Sequence, residues 1–170
     1  MNRWLPAAGA LLAGIILQVA LAPHIAVFGV VPNIIFLVVV IVALTQGPVA
    51  GGVTGLAGGL VFDLLGASIV GPYGLVLAVV GYFAGMLSAN LFAEGWLLPV
   101  TVVAVASLSA EVAYGIVLTV MGTGIGFWHS LVTVMLPGAL YQTVLAVIAF
   151  PLLARFLRRD RPMKSFRRLA

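Results

Sequence analysis

From Trp4 to Ala154 the chain contains no lysine and no arginine. That run constrains the fold more than any other feature. Apolar residues make up 64% of the sequence and charged residues 7%, far more apolar surface than 170 residues can hide from water. A lipid environment removes the problem, because helices can turn their apolar faces to hydrocarbon while satisfying their own backbones. The length accommodates about six spans of roughly 20 residues with short loops. The expected fold is therefore all-α, a polytopic integral membrane protein whose residues 1–154 form one transmembrane domain.

The remaining charge sits at one end. Arg155, Arg158, Arg159, Arg161, Lys164, Arg167 and Arg168 face only Asp160 across residues 155–170. A basic segment directly after a span marks the cytoplasmic side. Six spans then place both termini in the cytoplasm, which agrees with Arg3. With no cysteine, disulfides, thiolate catalysis and Cys-ligated metal sites are excluded.

The spans are expected at about 4–22, 32–45, 47–66, 73–91, 97–121 and 130–153. The first carries Gln18, read as an interhelical hydrogen bond, and the small-residue pairs Gly9/Ala13 and Ala10/Gly14. The second opens on Pro32-Asn33 and is short for a full crossing. Glu94 and Trp96 mark a tight inner turn. Pro137 should bend the sixth span by freeing the carbonyl of Thr133.

The third span carries a ridge. Gly47, Gly51, Gly55 and Gly59 recur every four residues and end on Asp63. In water each glycine would cost a helix roughly 0.8–1.0 kcal/mol relative to alanine. In a membrane such a strip is an interface where another backbone lies close. Gly81 and Gly85 on the fourth span are its natural mate. The six glycines are read as helix-packing or partner-binding positions, with packing towards Gly47 and polar recognition at Gly59 and Asp63.

Asp63 and Glu111 are the two acids inside spans, both in the outer half. No basic residue of the chain can reach them. Three readings stay open: neutral structural acids hydrogen-bonded to Tyr82, Tyr114, Ser109 or Gln142; a contact to a cation on another chain; or a proton- or ligand-coupled transport site. Gln142 completes the set of buried polar candidates. No HExxH, GxSxG or phosphate-binding loop occurs, so no catalytic residue, cofactor or metal is assigned. Nucleic-acid binding would rest on the short tail alone and is not expected.

Pro32-Asn33, Gln46-Gly47, Gly51, Gly55-Leu-Ala-Gly58-Gly59-Leu-Val-Phe-Asp63-Leu-Leu-Gly66, Gly71 and Gly81-Tyr82 form an ordered set. With Leu136-Pro137 and Leu140-Tyr141-Gln142 it resembles the rod shape-determining protein MreD family, although asparagine is the more usual residue where Gln142 stands. The resemblance implies a non-enzymatic scaffold of the bacterial cell-elongation complex in the cytoplasmic membrane. It also implies binding to the bitopic protein MreC, and through it links to MreB, a SEDS glycosyltransferase and a transpeptidase. The family's fold is similar to the S-components of energy-coupling-factor transporters. That likeness supplies the alternative, a substrate-binding subunit for vitamin uptake.

Overall fold

The computed structural model describes residues 4–27, 29–66, 69–90, 97–122 and 127–157. The inner turn with Glu94 and Trp96, and the basic tail beyond Leu157, lie outside the described residues. Within them the chain forms six helices: α1 (Trp4–Ala20), α2 (Ile34–Gln46), α3 (Pro48–Leu65), α4 (Pro72–Asn90), α5 (Leu97–Val120) and α6 (Phe127–Leu157). Three of them, α3, α5 and α6, are long and apolar enough to cross a membrane; the others are shorter apolar helices.

Helix α2 is the centre of the bundle. Every residue from Ile35 to Ala43 is buried, and each of the other five helices touches α2. A helix that is apolar all round belongs inside a protein, and Ile34 to Leu44 holds no polar side chain. Its 13 residues rise only about 20 Å, less than a bilayer core. It is short because protein, not lipid, surrounds it, and its ends are satisfied by side chains. Asn33 Oδ1 accepts from the N–H of Phe36 at 2.9 Å, a helix N-cap. Gln18 of α1 accepts from the N–H of Ile34 at 2.6 Å and donates to the carbonyl of Pro32 at 3.2 Å. The interhelical bond expected of Gln18 thus holds the start of the central helix.

At the other end, Gly47 turns the chain in one residue. Its φ of +94° is open to glycine, its N–H donates to the Ala43 carbonyl at 2.9 Å, and Pro48 opens α3. Helix α3 then runs back beside α4 at backbone distance. A Cβ added to Gly55 would strike the Leu77 carbonyl oxygen of α4, and one on Gly51 the Gly81 carbonyl oxygen. One on Gly59 would come within 2.6 Å of Gly74 Cα, and one on Gly85 within 2.5 Å of Pro48 Cα. Real side chains do not reach such distances, so only glycine permits this approach.

Helix α6 is continuous through Pro137. A π-helical stretch, Leu131–Met135, precedes the proline, and Leu136 N–H returns to the Leu131 carbonyl. The wider turn reorganises the backbone bonds where the proline would otherwise clash.

A polar cluster at the Asp63 end of the bundle

Asp63 is the last residue of the glycine ridge and is almost completely buried. Its Oδ2 accepts from the N–H groups of Gly71 and Tyr73, at 2.9 and 3.0 Å. Pro72 between them has no N–H, so one carboxylate oxygen serves the first two donors of α4. An acid at a helix N-terminus also complements the helix dipole. The ridge is thus committed to α4 from Gly51 to its end, and its acid is a clasp between the two helices. Oδ1 of the same carboxylate is buried without a hydrogen-bond partner.

Tyr73 carries the cluster inward. Its ring packs against Phe62 of α3 at 4.8 Å and edge-on against Tyr114 of α5 at 4.9 Å between centroids. Its hydroxyl accepts from Asn33 Nδ2 at 2.7 Å. Asn33 therefore caps α2 with its oxygen and ties α2 to α4 with its nitrogen. Asn33→Ala should lower stability by about 2 kcal/mol, the sum of a lost cap and a lost buried bond. Thermal unfolding in detergent micelles measures it.

Glu111 stands one helical turn from Tyr114 on α5 and reaches α6. A Cβ added to Gly138 would sit 3.8 Å from its Oε1. Among the described residues the Glu111 carboxylate has no hydrogen-bond partner. Gln142 lies one turn beyond Gly138, is 3% exposed, and its Oε1 has no partner either. Ser107, one turn from Glu111, donates to the Ala139 carbonyl at 3.3 Å and fixes α5 against α6 beside the pair. The Tyr141 hydroxyl donates to the Ile25 carbonyl, which ties the segment after α1 to α6.

Two of the expected partners serve elsewhere. Tyr82 points out of the bundle, 43% exposed, and Ser109 donates to its own helix at the Val105 carbonyl, 2.6 Å away. Both lie on faces that periodicity alone could not orient. Asn33, Tyr73 and Gly138 were not singled out as site residues. The Pro-Asn step before an apolar run was a readable cap signal for Asn33. Nothing local marks the other two, because their roles come from helices distant in sequence.

A second feature is apolar. A groove of about 390 Å³ opens between α4 and α5, lined by Val79, Phe83, Ala84, Val105 and Ala106 among others. It contains neither acid. No group of three histidine, cysteine, aspartate or glutamate side chains is placed to hold a metal among the described residues.

The family model for the rod shape-determining protein MreD matches residues 1–160, nearly the whole chain. No curated protein and no solved structure matches.

Proposed function

This chain belongs to the MreD family of rod shape-determining proteins, and we propose that it is a non-enzymatic scaffold of the cell-elongation complex in the bacterial cytoplasmic membrane. The observation that carries this reading is the family match over residues 1–160. In it the protein crosses the membrane six times and keeps both termini, with the basic tail of residues 155–170, in the cytoplasm. It binds the single span of an MreC-like bitopic protein, and so links MreB filaments to peptidoglycan synthesis by a SEDS glycosyltransferase and a transpeptidase.

The packing narrows how such binding works. Gly51, Gly55 and Gly59 face α4 and are covered within the subunit, so their share in partner binding is indirect: they hold the bundle whose outer faces meet the partner. Purification from membranes solubilised in mild detergent should recover the bitopic coiled-coil partner in near-equal amount. Depletion should convert rods to spheres. Recovery of the protein without that partner, or rod shape unchanged after depletion, overturns the reading.

A further inference from the structure

Helix α4 is held from one side. Its glycines Gly74, Gly81 and Gly85 lie against α3, so α4 cannot shift towards α5 without opening that contact. At one end the α4–α5 gap is bridged by bulk, where the Tyr73 and Tyr114 rings meet edge-on at 4.9 Å between centroids. Further along, the floor of the gap shrinks to Ala84 on α4 and Ala106 on α5, both buried. Two methyl groups cannot fill the space between helices held this way, and the groove of about 390 Å³ remains. Close-packed proteins leave few voids larger than a water molecule, so a gap of this size takes its filling from outside the chain.

The dimensions select the filling. The lining runs from Thr101 to Ala113 on α5, a rise of about 18 Å. Spread over that length, the volume is a trough of about 22 Å² in section, about 5 Å across. A helix with its side chains is about 10–12 Å wide and can lower only separate side chains into such a trough. One extended hydrocarbon chain fills it, and the length matches the roughly 15 Å of hydrocarbon in one leaflet. The chemistry agrees. Nine of the eleven lining residues are hydrocarbon, and Ser109 turns its hydroxyl back to the Val105 carbonyl at 2.6 Å. The trough also lies off centre. Leu87 and Thr101 stand three and four residues from the ends of their helices, whereas Val79 and Ala113 stand seven from theirs.

We propose that the α4–α5 groove binds one acyl chain of a membrane phospholipid, with the headgroup beyond the Leu87–Thr101 end. Moving a chain from bilayer to groove gains nothing from the hydrophobic effect, because both are apolar. Retention comes from dispersion, since the floor and the walls at Phe83 and Val105 surround the chain with fixed atoms. The bound chain completes the packing between α4 and α5 and leaves more slowly than lipid on the outer faces. The site needs only the membrane location, so its failure would leave the shape-determining role untouched.

The test uses the full-length protein in nanodiscs containing a phosphatidylethanolamine with a photoreactive diazirine midway along one acyl chain. The protein is extracted into digitonin, whose rigid steroid is too wide for the trough, and washed by size exclusion before illumination. Native mass spectrometry should find a single retained phospholipid. Peptide mapping should place its label on Val79–Leu87 and Thr101–Ala113, and not on Leu140 or Ile148, which are exposed on α6. Dodecyl maltoside, which has a straight alkyl chain, should displace the lipid. Ala106→Leu should cut retention by about fivefold or more, the scale of overpacking a filled site. Ser109→Phe fills the trough from an exposed position and should do the same, which keeps the test decisive if Ala106→Leu folds poorly. Leu140→Phe should leave retention unchanged. No lipid retained after washing, label absent from α4 and α5 because a partner's span or a second copy covers them, or equal label on Leu140 and Ile148 overturns the proposal. Retention unchanged in both Ala106→Leu and Ser109→Phe overturns it as well.

Discussion

Gly55→Leu is expected to separate α3 from α4 and destroy the fold. Even the first carbon of the new side chain would overlap the Leu77 carbonyl oxygen, which is backbone and cannot rotate aside. Overpacking in a tight core typically costs about 1–3 kcal/mol, and a leucine directed at a helix backbone belongs at or above the upper figure. Against a total stability of roughly 5–15 kcal/mol for a domain, that is enough to lose most folded protein on extraction. Thermal unfolding in detergent and the yield of monodisperse protein measure the effect. Two controls use the same residue type. Gly9→Leu should be silent for the fold, because a Cβ at Gly9 meets nothing within 4 Å. Gly115→Ala should cost little, because its neighbour is the flexible end of Met135. Equal destabilisation at all three positions would show that the α3–α4 contact does not set the cost, since gaining a better helix former can only stabilise.

Asp63→Ala is expected to lower stability by about 3 kcal/mol, since it leaves the N–H groups of Gly71 and Tyr73 without their shared acceptor. Asp63→Asn should cost less than about 1 kcal/mol, because an amide oxygen can accept the same two bonds. The contrast separates an acceptor role from a need for charge. Chemical or thermal unfolding of both variants in the same detergent reads it. An asparagine variant as damaged as the alanine variant would mean that the negative charge itself, acting on the start of α4, supplies the stability.

The two experiments also divide what was legible from what was not. The absence of basic residues from Trp4 to Ala154, with the apolar content, was enough for an all-helical, membrane-embedded chain. Helix starts at Pro32-Asn33 and Gly47-Pro48 could be read because capping and proline effects act over a few residues. The glycine ridge could be read because four-residue spacing places residues on one face whatever surrounds the helix. The central position of α2 was also written in its unbroken apolar run, but length alone points to a short crossing. Burial on every side is the better explanation of both facts.

The tertiary structure decided what each face meets. Periodicity orients residues about a helix axis and says nothing of the helix opposite. The ridge could have lain against a partner, and its length could have been shared between two neighbours. In the fold α4 covers it from Gly51 to Gly59, and Asp63 Oδ2 closes the same contact. Glu111 reaches Gly138, 27 positions further on, only because α5 and α6 pack there. Sequence determined the solvent, the helices and their small-residue faces, because those follow from local composition and spacing. Which groups each buried acid meets depended on how the helices pair, because a buried acceptor can be satisfied only by groups that the whole fold brings to it.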